Sequence, residues 1–265
     1  MTPTLVLTDV AVRFGGLTAV DVSSMTFRPG RIVGLLGANG AGKTTLLDAI
    51  SGHVPATGSI LLGGHDLSRL SPAQRARAGL GRSYQNAALF EGLTVEETLR
   101  VAYDGVLRGI GPVAGAMHLP RARRSERSVG TALEDVIEAM GLSAYRDKFV
   151  GELSTGSRRI VDLAGLFAAR PAVVLLDEPS SGIAQREVEE LGAVLRRAQR
   201  TLGCTMVVVE HDIPLLRSLS DEMYAMETGR VIAHGTPDEV LAEPQVVASY
   251  LGTGTRAVER SGAAS

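Results

Sequence analysis

Residues 35–47 read LLGANGAGKTTLL, in which Gly37, Gly42, Lys43 and Thr44 keep the spacing Gly-x-x-x-x-Gly-Lys-Thr. A loop of that pattern turns its backbone N–H groups onto phosphate oxygens. Of the 27 Lys and Arg residues only Lys43 and Lys148 are lysines, so a lysine here marks a position that excludes a guanidinium. Lys148, in the run YRDKF, reads as a solvated charge. Lys43 has to lie inside the wrapped loop as a compact point charge, where a planar fork of five donors does not fit. Gly37, Asn39, Gly40, Ala41, Gly42, Lys43, Thr44 and Thr45 are the candidate phosphate binders, and the Thr44 hydroxyl is a candidate Mg²⁺ contact.

The motif needs a strand before it and a helix after it. Ile32, Val33, Leu35 and Leu36 form an apolar run suited to a buried strand, while Leu46, Leu47 and Ile50 recur at helical spacing until Gly52. A second apolar run, VVLLD, ends in Asp177 and Glu178. Acids at the C-terminal end of a parallel strand lie where α/β sheets place their functional groups, beside a phosphate loop. Asp177 there would orient the Mg²⁺ shell and Glu178 would polarise an attacking water, the two tasks of phosphoryl transfer to water. A GTPase is excluded, because the only asparagines, Asn39 and Asn86, do not precede a lysine as an Asn-Lys-x-Asp base reader requires.

The segment GELSTGSRRIVDLAGLFAARP, which closely precedes that strand, resembles the signature region of the ATP-binding cassette (ABC) ATPases. Ser154 and Gly156 match the family's LSGGQ; Thr155 and Ser157 depart from it. The resemblance implies that Ser154, Gly156 and the following helix start bind the γ-phosphate of ATP held by a second cassette chain. A helix N-terminus suits that task. Gln85 matches the family glutamine that touches Mg²⁺ and water, His211 the switch histidine, and Phe14 the aromatic that stacks on adenine. Ala184 stands where the family usually has Asp. The resemblance therefore implies ATP and Mg²⁺ as cofactors, with Glu178, His211 and Gln85 catalytic and with Thr44, Gln85 and Asp177 at the metal. Its partners would be integral-membrane permease subunits, a second ABC ATPase chain of the same or a related type, and an extracytoplasmic solute-binding protein.

Within the family, RFGGLTAV, SYQNAALFEGLTVEETL and the ending HGTPDEVLAEPQVVASYLG look most like the ATPase subunits of branched-chain amino-acid importers. Lipopolysaccharide exporters share similar endings, and a soluble cassette acting on ribosomes or DNA is the alternative from another class. The single set of motifs and the absence of sustained heptads weigh against the latter.

Positioning these residues requires alternating strands and helices. The expected fold is α/β with a parallel sheet, and the resemblance implies a P-loop NTPase with a RecA-like parallel sheet, an N-terminal antiparallel β subdomain and an inserted helical subdomain. One cassette domain is expected over 5–251, with residues 1–85 and 158–251 as nucleotide-binding core, 86–157 as helical subdomain and 252–265 as a flexible tail. Residues 5–36 read as strands broken at FGG and RPG, and YAMETGRVIAHG as a hairpin turning at Thr228 and Gly229. Ser71 with Gln74, Thr94 with Glu97, and Thr236 with Glu239 form capping-box patterns at helix starts. Residues 105–130, apolar and rich in Gly and Pro and then basic at Arg121, Arg123, Arg124 and Arg127, read as a flexible surface excursion or a contact with a membrane partner or lipid headgroups. Leu133, Val136, Ile137 and Met140 then restore helical spacing.

Composition sets the outer limits. A 45% hydrophobic share supports a sizeable core, and 4% aromatics make it aliphatic. The formal charge of −2 gives no general pull towards nucleic acid or anionic lipid. The single cysteine, Cys204, excludes an internal disulfide and reads as a small core residue. Neither a signal peptide nor a spanning segment is evident, so the expected location is cytoplasmic, peripheral on the inner face of the cell membrane through permease subunits.

Overall fold

The computed structural model describes residues 2–83, 89–107 and 120–249. Among them are two sheets. Strands β1 (Leu5–Phe14), β2 (Leu17–Phe27), β4 (Thr57–Leu62) and β5 (His65–Asp66) form an antiparallel sheet in the order β2-β1-β4-β5. The second sheet has the order β10-β9-β3-β8-β7-β6, built from β3 (Ile32–Leu36), β6 (Leu80–Arg82), β7 (Val173–Asp177), β8 (Thr205–Val209), β9 (Glu222–Glu227) and β10 (Arg230–Gly235). Its pairs are parallel except β9 with β10, which turn antiparallel at Thr228 and Gly229, both at positive φ.

The parallel strands are apolar throughout because both faces are covered. In β3 Ile32 and Leu36 pack into one core while Val33 and Leu35 pack into the other. The same alternation divides Val174 and Leu176 from Val173 and Leu175, and Met206 and Val208 from Val207 and Val209. One core lies towards the antiparallel sheet and α1 (Lys43–Ser51), whose Leu46, Leu47 and Ile50 are fully buried. The other is covered by helices: α3 (Val95–Leu107), α4 (Pro120–Ala139), α5 (Thr155–Ala168), α6 (Gln185–Leu202) and α7 (Ile213–Leu219). Leu133, Val136, Ile137 and Met140 are all buried there. Cys204 is a buried core residue, its thiol pushed up to about 12 by burial.

Local chemistry explains the helix ends. In α2 (Pro72–Arg77) the Ser71 hydroxyl accepts from Gln74 N while the Gln74 side chain accepts from Ser71 N. Thr94 with Glu97, and Thr236 with Glu239 at α8 (Pro237–Ala242), repeat the exchange. The expected excursion over 105–130 is corrected in part: α3 continues to Leu107 and α4 begins at Pro120. The run RARRSER lacks an apolar stripe, so its helical state is not visible as periodicity, whereas Pro120 is well suited to a first helical turn. Helix α5 begins at Thr155, five residues before its apolar spacing does, because Ser154 caps it. Gln85 and the tail 252–265 lie outside the described residues.

The C-terminal end of α1 is closed by an arginine from α2. Arg75 donates through Nη1 to the carbonyls of Ala49 at 2.7 Å and Ile50 at 2.8 Å, through Nη2 to Ser68, and through Nε to Leu70. These satisfy carbonyls that a helix end leaves without partners. Arg75→Leu should therefore lower unfolding stability in urea by about 2–3 kcal/mol, and a loss below about 0.5 kcal/mol would contradict the capping role.

Candidate nucleotide site

Three strands end on the same edge of the parallel sheet. Beyond β3 comes the loop 37–42, β7 ends in Asp177 with Glu178 just beyond it, and beyond β8, which lies between them, come Glu210 and His211. A pocket of about 240 Å³ opens there, lined by Leu17, Asn39, Gly40, Ala41, Gly42, Lys43, Thr44, Thr45, Glu178 and His211, among others. The sheet thus brings together residues that are far apart in sequence.

Gly42 caps α1 in the left-handed conformation at φ 94°, and a Cβ there would stand 2.4 Å from the Ala19 carbonyl oxygen. Both features require glycine. The turn leaves the first N–H groups of α1 without helical acceptors at the pocket's floor, where the helix also presents its positive end. Lys43 is 6% exposed, and its Nζ donates to Gly37 O at 2.6 Å and Ala38 O at 3.0 Å. Burial pulls its pKa down, while the carboxylates of Glu178 and Asp177 act in the opposite direction. The result is a cation fixed by the loop it serves and faced by two acids.

Asp177 is buried, with Oδ1 3.4 Å from the Thr44 hydroxyl. The pair offers only oxygen donors, and among the described residues no cluster of three or more His, Cys, Asp or Glu side chains could hold a metal. That donor set suits Mg²⁺, which takes one or two protein oxygens and completes its shell with phosphate and water. Glu178 lies at φ 48°, a left-handed position uncommon for a side chain of this size, and its N–H donates to Val209 O at 2.9 Å. Its Oε1 stands 2.8 Å from His211 Nε2. An acid and an imidazole in contact at the pocket rim can hold and orient a water.

The other expected residues fall further out. Phe14 is 52% exposed and is paired with Leu17 across a two-residue turn; Leu17, not Phe14, is among the pocket-lining residues. Ser154 and Gly156 lie outside the lining. The Ser154 hydroxyl caps α5 by accepting from Ser157 N, and Ser157 Oγ lies 3.1 Å from it, so Ser157 reinforces the cap. A Cβ on Gly156 would meet the end of the Glu187 side chain at 2.8 Å, a contact that this flexible side chain can relieve by turning away. Ala184 is the N-cap of α6 and supplies no side-chain hydrogen bond there.

Two neighbours of Asp177, Arg82 and Ser83, escape sequence reasoning. Arg82 Nη2 bridges Asp177 Oδ2 at 3.0 Å and Asp48 Oδ1 at 2.9 Å, and the Ser83 hydroxyl accepts from Asp177 N at 3.0 Å. Each acts across more than 30 positions of sequence, so no local spacing reveals it.

This arrangement, a phosphate loop and an acid-ended strand with one strand between them, defines a P-loop ATPase. The ABC transporter family matches residues 20–181, and the chain belongs to it, as a nucleotide-binding ATPase cassette. A C-terminal segment family, the branched-chain amino acid ATP-binding cassette transporters, matches residues 230–255. The chain is 34% identical over 251 residues to LivG of Salmonella typhimurium, a high-affinity branched-chain amino acid transport ATP-binding protein, covering 94% of this chain and 98% of that one. It is 32% identical to BraF of Pseudomonas aeruginosa, a protein of the same description, over the same shares. Among solved structures, an ATP-binding cassette of an ABC transporter in its ADP conformation superposes with a TM-score of 0.77 at 26% identity, covering 95% of this chain and all of that one.

Arg82 and Asp177 are both buried, with side chains 7% and 3% exposed. Arg82→Met should leave the Asp177 carboxylate without its cation and reduce stability by about 3 kcal/mol; an unchanged urea midpoint would contradict the pairing.

Proposed function

We propose that the chain is the ATP-hydrolysing subunit of an importer for branched-chain or other hydrophobic amino acids. Two cassettes would close on two ATP, move coupled permease subunits and reopen after hydrolysis. The observation that carries the chemistry is the convergence of Lys43, Thr44, Asp177, Glu178 and His211 on one edge of the parallel sheet. The import reading rests on the likeness, over 94% of the chain, to LivG and BraF.

In this reading Gly37, Asn39, Gly40, Ala41, Gly42, Lys43, Thr44 and Thr45 hold the phosphates, and Phe14 stacks on adenine from the hairpin whose Leu17 already borders the pocket. Mg²⁺, when bound at Thr44, Asp177 and Gln85, supplies neutralisation of phosphate charge. Glu178 accepts the proton of the attacking water, and His211 holds that water and the γ-phosphate in place. Ser154 and Gly156 at the start of α5 serve the nucleotide of the partner cassette, which accords with their position outside this chain's own pocket lining. Residues 1–85 and 158–251 act as the nucleotide-binding core and 86–157 as the helical subdomain.

A groove lined by Leu89, Phe90, Val101 and Leu166 lies beside Arg82, with Phe90 63% and Val101 51% exposed. It suits a cytoplasmic helix of a permease subunit. Among the described residues no helix is long and apolar enough to cross a membrane, so in this reading membrane attachment comes through that contact. An extracytoplasmic solute-binding protein would deliver the amino acid to the permease.

The Glu178→Gln chain, expressed in its native cells and purified from membranes with Mg²⁺ and ATP, should lack steady-state hydrolysis, elute as an ATP-bound dimer and bring polytopic permease subunits with it. Wild-type turnover would overturn the role of Glu178. Recovery of ribosomal or DNA-repair proteins without permeases would overturn the transport reading.

A further inference from the structure

Beyond the acid and the histidine, a third side chain joins the segments that carry them. Glu210 lies between the end of β8 and His211 and is 3% exposed. Its Oε1 accepts from Ser180 N at 2.8 Å and its Oε2 from His211 N at 3.2 Å. Among the described residues it has no ion pair with Lys, Arg or His. Both oxygens are occupied by main-chain donors, one from the turn that follows Glu178 and one from the residue that contacts Glu178.

We propose that Glu210 is a positioning residue for hydrolysis, holding the turn after Glu178 and the backbone of His211 at the separation that lets the two side chains meet at 2.8 Å. The proposal rests on the assignment of Glu178 and His211 given above. A buried carboxylate costs free energy unless hydrogen bonds compensate it, and one N–H could be met by a neutral side chain at lower cost. Here the two N–H groups meet different oxygens of the carboxylate, so an amide in the same place would keep one acceptor and turn an NH₂ donor towards the other N–H.

The same turn is thinly supported elsewhere. Among the described residues, side-chain hydrogen bonds onto the main chain of residues 178–184 come from Arg159, to the carbonyls of Pro179 and Glu178, and from Glu210, which accepts from Ser180 N. At its far end Ala184 gives no cap to α6. Arg159 holds the turn towards α5 and Glu210 holds it towards His211. Loss of Glu210 would leave the main-chain bond from Glu178 N to Val209 O in place, so the fold around the pocket persists while the Glu178–His211 contact loosens.

The test compares the full-length wild type, Glu210→Gln, His211→Ala and the double variant in single-turnover and steady-state hydrolysis, with ATP affinity measured separately by calorimetry. Glu210→Gln should lower kcat by about ten-fold or more while KM and ATP affinity stay within about two-fold, because a small misplacement of reacting groups costs rate more than binding. In the His211→Ala background the same substitution should change the single-turnover rate by less than about two-fold, since both changes break one contact. An unchanged kcat, an equal fold-loss in both backgrounds, or a parallel loss of ATP affinity would overturn the proposal. If Glu210→Gln does not fold, Glu210→Asp, which keeps the charge but is one methylene too short to bridge both donors, carries the same comparison. Glu178→Gln run alongside separates the two readings: full turnover there removes the assignment of Glu178, whereas its inactivity beside a fully active Glu210→Gln removes only the role of Glu210.

Discussion

The proposed nucleotide site depends on one constraint: a chain of neutral peptide groups would have to surround a highly charged phosphate, with one ammonium reaching it from inside the loop. Lys43, anchored on the carbonyls of Gly37 and Ala38, meets that constraint only because Gly42 turns left-handed against the Ala19 carbonyl. The loop's position therefore depends on the antiparallel sheet above it as well as on the strand that feeds it. Gly229 N donates to Ala41 O from the β9–β10 turn, and Asp21 N in β2 donates to Gly229 O, so the loop is gripped from both sheets.

The parallel sheet then sets the distances. With β8 between β3 and β7, the acid pair emerges one strand away from the phosphate loop, and His211 emerges in the gap. Register rather than loop design brings Glu178 to His211, and Arg82 from β6 on the other side completes the surroundings of Asp177. Burial on both faces keeps these strands rigid, so the functional groups sit at the ends of the least deformable part of the molecule.

Much of this was legible in the sequence because the relevant physics is local. The phosphate loop, the VVLLD strand, the capping pairs and the Thr228-Gly229 turn each depend on residues within a few positions of one another. What escaped is long-range or without periodicity. Arg82 with Asp177, Ser83 with Asp177 N, and Arg75 on α1 are contacts created by strand order and helix docking. The first half of α4 has no apolar stripe to announce it, and Leu17 borders the pocket only because the first hairpin folds over the loop. Glu210 is invisible for a different reason: next to a histidine at a strand end it reads as one more solvated acid, and only its burial and its two main-chain donors distinguish it.

The measurement that tests the central claim most directly is calorimetric titration of ATP into the wild-type chain and Lys43→Ala. The loop account predicts that removing this one ammonium weakens ATP binding by about ten-fold or more, as loss of a charge-assisted contact to phosphate should. Equal affinity in the two chains would contradict it, because the phosphates would then be held by something other than the loop around Lys43.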